Sequence, residues 1–381
     1  ICQTAGNRNV FFFVSGGVDS TVAFTLCLRA LGPHRARGIY VDTGLMREGE
    51  TEFVRGVFAG WEGDFEVADA RNQFLGALSG VRDPELKRRV IGEEFVRVQQ
   101  QIIESHHFMD ESWILGQGTI YPDTIESGGT AKSAVIKTHH NRVPGIQRLM
   151  EANRIVEPLS FFYKDEVREI GRELHLPEAL LERHPFPGPG LAIRCLCSSV
   201  EAPVRETPDG WLLPVRSVGV QGDSRTYAHV LAFDRFPSTR ENLQVPATEV
   251  INRATGINRI VARVDSVAPI SAMRVFESSL SAQRFSRLRR VDALVRRLSH
   301  ESGFDRHVWQ FPVILIPLGN GAERDSVVLR PIHSVDGMTA QSVNMEADLL
   351  RGMAAALLSV EGICGVFYDL THKPPGTIEW E

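Results

Sequence analysis

Apolar residues fall in short blocks along the first half of the chain, separated by polar stretches of helical period. Residues 10–14 form an unbroken apolar block of strand length. Residues 20–31 then place Val22, Leu26 and Ala30 on one helical face and stop at Gly32-Pro33. Residues 38–41 and 65–68 read as a second and a third strand. Asp83-Pro84 opens a long helix, the aspartate as cap and the proline in the first turn. Its inner face would carry Leu86, Val90, Phe95, Val98 and Ile102. Residues 112–115 and 154–156 supply a fourth and a short fifth strand, and residues 164–174 a helix closed by Leu176-Pro177. This alternation predicts an α/β, doubly wound parallel sheet with helices on both faces. In such sheets ligands bind beyond the carboxyl ends of the strands.

The pattern breaks at RHPFPGPGLAIR, residues 183–194, where three prolines and two glycines within six residues forbid helix or central strand. A first domain over residues 1–194 and a second, α+β domain over 195–381 follow from it. The second carries a weak internal repeat, which divides it near residue 300 into halves of about 195–300 and 301–381. Leu213-Pro214-Val215-Arg216 and a later Gly256-Ile257 strand form one copy. Val328-Leu329-Arg330-Pro331 and Gly362-Ile363 form the other. Repeated α+β units on a catalytic core often serve assembly.

Composition narrows the class. A chain of 381 residues with 43% hydrophobic and 23% charged residues reads as an ordinary globular protein. No apolar run approaches the roughly 18 residues of a membrane span. The first ten residues, with Arg8 and little apolar content, are no signal peptide. A net charge of −5 gives no basic character for wrapping nucleic acid. Five scattered cysteines, Cys2, Cys27, Cys195, Cys197 and Cys364, predict reduced thiols in a cytoplasmic compartment. Cys195 and Cys197 are spaced too tightly for a zinc knuckle and read as lying on alternate faces of a strand. Ile1 is not a methionine, which fits a fragment or a processed product.

The first strand runs into SGGVDS, residues 15–20. A glycine pair between a buried strand and a helix lets the backbone turn and aim several N–H groups from the helix N-terminus, which makes an anion site. Ser15, Ser20 and Thr21 add hydroxyls. Asp19 would repel phosphate unless a divalent cation sits between them. The lysine of a Walker A loop is missing, and the glycine spacing is not that of a dinucleotide-binding turn.

SGGVDS resembles the pyrophosphate loop of the N-type ATP pyrophosphatases, which have an adenine nucleotide alpha-hydrolase-like fold and activate a carbonyl oxygen as an adenylate. Alone it leaves NAD synthetase, the asparagine and argininosuccinate synthetases and tRNA thiolation enzymes open. VDTGLMR (41–47), GQGTIYPDTIES (116–127), IKTHHN (136–141), HPFPGPGLAIR (184–194) and the terminal KPPGTIEWE (373–381) narrow it. Together these closely resemble the GMP synthetase family, from about residue 10 to 381, more loosely in the second domain. VDTG stands where VDNG is usual.

The resemblance implies a ligase that aminates XMP to GMP through adenyl-XMP, releasing AMP and pyrophosphate. By that likeness Ser15, Gly16, Gly17, Val18, Asp19, Ser20 and Thr21 hold the ATP phosphates. Val41 meets adenine, Lys164 reaches the pyrophosphate, and Asp19 contacts Mg²⁺. XMP would meet Arg88, Asp223, Gln310, Lys373 and Glu379. Without the family these are routine surface residues; Arg88 shares a helix face with Lys87 and Arg89, and such clusters are usually solvated. The rigid, aromatic-bearing tail suits docking onto a ligand or a neighbouring domain. His139 and His140, on opposite sides of an extended stretch, are disfavoured as joint metal ligands; the likeness makes them part of a lid over the nucleotides. Whether either moves a proton is open.

The family's glutaminase cysteine, histidine and glutamate have no counterpart here, so ammonia would come free or from a separate or missing glutamine amidotransferase. The segment 194–212 is short against relatives, and a homodimer through the second domain is implied. No nucleic acid or membrane partner is expected. A tRNA sulfur-transfer enzyme would need a cysteine pair near the nucleotide site and a basic face. A catalytically inactive nucleotide-sensing partner would fit loss of Asp19, Lys164 or Lys373, all of which are present.

Overall fold

The structure, a computed structural model, describes residues 1–61, 63–122, 143–221, 224–236, 241–254, 256–321, 324–335 and 337–381; of these, the side chains of 221, 224, 225 and 241–246 are left aside. The chain separates into two compact units, Ile1–Ala77 with Val90–Pro185 and Leu78–Arg89 with Phe186–Glu381. The break at Pro185 falls earlier than the sequence boundary at 194, inside the proline-glycine stretch. The segment Leu78–Arg89 goes with the second unit although it lies within the first in sequence.

The first unit is built on β1 (Asn9–Phe13), α1 (Val18–Leu31), β2 (Ala36–Asp42), α2 (Glu50–Phe58), β3 (Asp64–Asp69) and α3 (Arg71–Ala77). It continues with most of α4 (Pro84–Ser105), β4 (Trp113–Gly116), α5 (Pro144–Glu151), β5 (Ile155–Val156) and α6 (Lys164–Glu173). The five strands are parallel, in the order β3-β2-β1-β4-β5. Consecutive strands therefore run outward from β1 in both directions, and the crevice where the order reverses lies at the carboxyl ends of β1 and β4. All five strands match the apolar blocks of the sequence. Helices α2, α3 and α5 lie outside the sequence reading; they are short, at 9, 7 and 8 residues.

The block NVFFF becomes the central strand because both of its faces are covered. Phe11 stacks on Phe108 with centroids 4.1 Å apart, while Phe12 points to the opposite face and meets Phe24 of α1 at 5.6 Å. Phe24 in turn meets Phe58 at 5.3 Å and Phe65 at 6.3 Å, so one ring joins helices α1 and α2 to strands β1 and β3.

Helix α4 departs from the sequence reading in its first half: Val98 and Ile102 of the expected inner face are buried, but Leu86, Val90 and Phe95 are only partly so. Asp83 caps it as expected, its Oδ1 accepting from the Leu86 N–H at 2.7 Å. The buried positions, however, are Lys87, Ile91, Glu94, Val98, Ile102 and Ile103. Lys87, expected in solvent, is wholly buried; its partners are described below.

The second unit carries a seven-stranded sheet. Its strands are β6 (Arg205–Thr207), β7 (Gly210–Gln221), β8 (Ser224–Phe233), β9 (Ile257–Ser266), β10 (Val313–Ile316), β11 (Asp325–Leu329) and β12 (Ile363–Asp369), in the order β10-β11-β12-β9-β8-β7-β6. Helix α7 (Glu241–Arg253) joins β8 to β9, α8 (Ala282–Glu301) precedes β10, and α9 (Ala347–Leu358) joins β11 to β12. The strand senses repeat about the centre. β7 is antiparallel to β8 and β8 parallel to β9; β10 is antiparallel to β11 and β11 parallel to β12. The two halves meet through the antiparallel pair β9–β12. In this arrangement β7 corresponds to β10, whereas the sequence repeat set it beside the stretch that forms β11. Both halves share one sheet, and Val230, Val261, Ile314, Val328 and Phe367 lie in one apolar cluster.

Phe24→Ala removes the ring that ties four elements of the first unit and should destabilise it by about 3–5 kcal/mol. A urea-unfolding midpoint that hardly moved would show that the cluster repacks.

Candidate functional site

The loop after β1 is closed by its own serines. The Ser15 N–H donates to Ser20 Oγ at 3.1 Å, the two hydroxyls lie 2.9 Å apart, and the Gly17 N–H donates to Ser15 Oγ at 3.2 Å. Ser15 and Gly17 are exposed, Asp19 and Ser20 half-buried, and Gly16, Val18 and Thr21 buried. Thr21 thus lies beneath the loop. Gly118, in the exit from β4, lies against the start of α1: a Cβ there would sit 2.9 Å from the Ser20 Cα. The loops leaving β1 and β4 therefore meet at the crevice where the strand order reverses.

Lys164 opens α6, beneath a capping box in which the Tyr163 N–H donates to Glu166 Oε2 at 2.7 Å. An ammonium at a helix N-terminus opposes the helix dipole. What offsets this is Asp19, both of whose oxygens accept from Lys164 Nζ at 2.6 Å. The pair is partly open to solvent on both sides, 41% for Lys164 and 30% for Asp19, so a ligand can reach it. Val41, 8% exposed, is the last residue but one of β2, and Asp42, which ends it, accepts from the Gly44 N–H at 2.9 Å. Among the described residues there is no group of three histidine, cysteine or acidic residues able to hold a metal. A single half-open carboxylate suits a divalent cation that arrives with phosphate oxygens, since Mg²⁺ takes one or two carboxylates plus substrate phosphates.

Behind the loop stand residues that sequence reasoning missed. Arg183 donates to Gly16 O at 3.2 Å and to Glu50 Oε2 at 2.6 Å, with its guanidinium 4.7 Å from the Phe53 ring centroid. Burial, then the nearby Glu50 carboxylate, pushes the Tyr40 phenol above its ordinary range.

In the second unit the tail, residues 373–381, is held along its length. Three buried arginines do most of this. Arg194 forks Glu379 through Nε at 2.9 Å and Nη2 at 2.7 Å. Arg259 Nη2 donates to Thr377 O at 2.8 Å and Glu379 O at 2.7 Å. Arg330 donates to Ile378 O at 2.9 Å and Thr377 O at 2.8 Å. Arg259 and Arg330 also share Asp369 Oδ2, at 3.1 and 2.7 Å, which accepts from Trp380 Nε1 at 2.9 Å as well. Trp380 is wholly buried and Glu381 nearly so. Lys87 donates to Ala192 O at 3.2 Å, to Cys195 O at 2.9 Å and to the Glu381 carboxylate. These three acceptors explain its burial. Arg88 donates to the main-chain oxygen of Glu381.

Of the other substrate candidates, Lys373 donates to Gly337 O at 2.5 Å. Gln310 is 3% exposed, in an isolated bridge with Ile332. Asp223, His139 and His140 lie outside the described residues. All five cysteines are free, and burial pushes the Cys27 and Cys195 thiols up to about 12. Cys195 and Leu196 are both buried, and Cys195 forms only an isolated bridge with Leu315, so the two thiols do not alternate across a strand. A charge set inside an apolar strand, as in INRIV or VVLRPI, was the available signal for Arg259 and Arg330.

Comparison with known proteins adds the following. Residues 298–380 match the family described as GMP synthase C terminal domain. A probable glutamine-hydrolyzing GMP synthase of Leptospira interrogans is 38% identical over 98% of this chain, and the chain spans 64% of that relative's length. The corresponding protein of Caenorhabditis elegans is 31% identical over the whole chain, again 64% of the relative. A GMP synthase of Thermomicrobium roseum is 43% identical over 71% of the chain and 57% of the relative.

Asp369 generates a prediction about acid. Burial opposes its ionisation, but Arg330 and Arg259 outweigh burial and hold the carboxyl below its ordinary range. Its stabilising contribution is then complete above the unfolded-state value of about 3.9 and is lost as pH falls through the lower folded value. Asp369→Asn should destabilise by about 3–5 kcal/mol at neutral pH and flatten the loss of stability below about pH 4. Urea unfolding measured against pH checks both; an unchanged acid limb would remove Asp369 from it.

Proposed function

This chain belongs to the GMP synthase family, and from that premise we propose that it aminates XMP to GMP at the expense of ATP. The reaction is a carbon–nitrogen ligation. The XMP C2 oxygen attacks the α-phosphorus of ATP and expels pyrophosphate, and ammonia then displaces AMP from adenyl-XMP. The observation that carries this reading is the Asp19–Lys164 pair beside the SGGVDS loop. An acid and a base at an anion-binding helix N-terminus suit a polyphosphate that comes with a cation.

In this reading the loop from Ser15 to Thr21 holds the phosphates, with the Ser15 and Ser20 hydroxyls as donors, and Val41 supplies an apolar surface for adenine. Lys164 exchanges Asp19 for a pyrophosphate oxygen, where its charge stabilises the leaving group as negative charge develops. Asp19, released, would hold Mg²⁺, whose chemistry is to neutralise the phosphate oxygens. Arg88, Asp223, Gln310, Lys373 and Glu379 serve XMP. Glu379, oriented by the Arg194 fork, keeps lone pairs for a donor on the purine. His139 and His140 belong to the lid that keeps water from the adenylate. The free thiols support a cytoplasmic setting. A homodimer through the second unit rests on the family resemblance, and light scattering reads it.

Incubated with ATP, Mg²⁺, XMP and ammonium, the chain should release pyrophosphate and form GMP, both only when XMP is present. Replacing ammonium with glutamine reads the glutamine-hydrolysing step named for the relatives. Asp19→Asn should lower pyrophosphate release by about 100-fold while calorimetry shows XMP binding unchanged. Normal turnover of that variant, or pyrophosphate release independent of XMP, would overturn the proposal.

A further inference from the structure

We infer that Arg183 is a positioning residue that sets the shape of the phosphate loop before any nucleotide arrives; the inference rests on the nucleotide reading above. A turn containing Gly16-Gly17 has more backbone freedom than any other pair of residues would allow it, and ordering it at the moment of binding would weaken the site. Three groups remove that freedom from behind. Gly16 has φ +78°, and a Cβ on it would lie 2.7 Å from Val54 Cγ2, so the backbone is pressed against α2. Glu50, Phe53 and Val54 are three and four residues apart and share one face of that helix. Arg183 joins the two parts: Nη2 is anchored on Glu50 at 2.6 Å, its guanidinium lies over Phe53, and Nη1 reaches Gly16 O at 3.2 Å.

Fixing a carbonyl fixes its whole peptide plane. The other end of that plane is the Gly17 N–H, which donates to Ser15 Oγ, and Ser15 is tied to Ser20. Arg183 thus acts through Gly16 on the donors that face the phosphates and need not touch the nucleotide. Only a guanidinium can hold the carboxylate and the carbonyl together in one plane; a lysine ammonium is a single point charge. Arg183 is 20% exposed and Glu50 6%, so the pair is sheltered enough to keep this geometry.

Arg183→Lys separates the two contacts, because an ammonium can keep the pair with Glu50 while giving up Gly16. The thermal midpoint should stay near that of the parent chain. The dissociation constant for inorganic pyrophosphate, measured by calorimetry with Mg²⁺, should rise about tenfold, and kcat/KM for ATP should fall about tenfold. The KM for XMP should not move. Glu50→Gln, which keeps the shape but weakens the anchor, should fall between the two. Pyrophosphate affinity unchanged in both variants would overturn the inference. So would losses that follow the thermal midpoint and spread to XMP, since a merely structural arginine would behave in that way. Pyrophosphate binding needs no XMP chemistry: a parent chain that binds it yet forms no GMP would overturn the reaction reading, and the same two variants would still decide the role of Arg183.

Discussion

Two guanidinium groups share one carboxylate at Asp369, with none of the three exposed to solvent. Much of the second unit depends on that arrangement. A buried ion of either sign is expensive unless it is paired and its remaining hydrogen-bonding capacity is filled. Arg259 and Arg330 direct much of theirs to main-chain carbonyls of the tail, and Asp369 accepts from the Trp380 indole and the Thr371 N–H. The tail is therefore the chief acceptor for charges inside the sheet rather than an appendage resting on it. Position matters too: Asp369 ends β12 and Arg259 lies near the start of β9, the antiparallel strands where the two halves of the sheet meet.

The first unit solves a related problem with less charge. Its glycine-containing loop after β1 is held in one shape by neighbouring side chains. The structure supports it from both sides, with Gly118 against the start of α1 and Arg183 with α2 behind Gly16. Asp19 and Lys164 sit at the open edge, each at the beginning of a helix. Their side chains are partly exposed, whereas the Asp369 cluster is fully buried. Burial thus separates ion pairs that can serve chemistry from those that hold the fold.

Much of this was legible in the residues. The five strands of the first sheet were visible because each is a short apolar run bounded by turn residues, and α1, α4 and α6 because their caps and stops are strong. The turn at SGGVDS came from the same reading, while Lys164 was singled out only by the family resemblance; the structure brings its side chain onto Asp19. The phase of the first half of α4 was not legible. An apolar count puts Lys87 outward, and only its three acceptors, all of them more than a hundred residues away in the chain, make the inward position tolerable.

By itself, then, the sequence determined the alternating strands and helices and the glycine-rich turn after the first strand, because these depend on neighbours in sequence: period, caps, prolines and glycines. Tertiary structure alone decided which charges are buried. Arg183 finds Glu50 and Gly16, Arg194 finds Glu379, and Asp369 finds Arg259 and Arg330 across separations that no local pattern encodes. A buried charge is stable only when a partner meets it in three dimensions, and the strand order and the path of the tail, not local propensity, set where those partners lie.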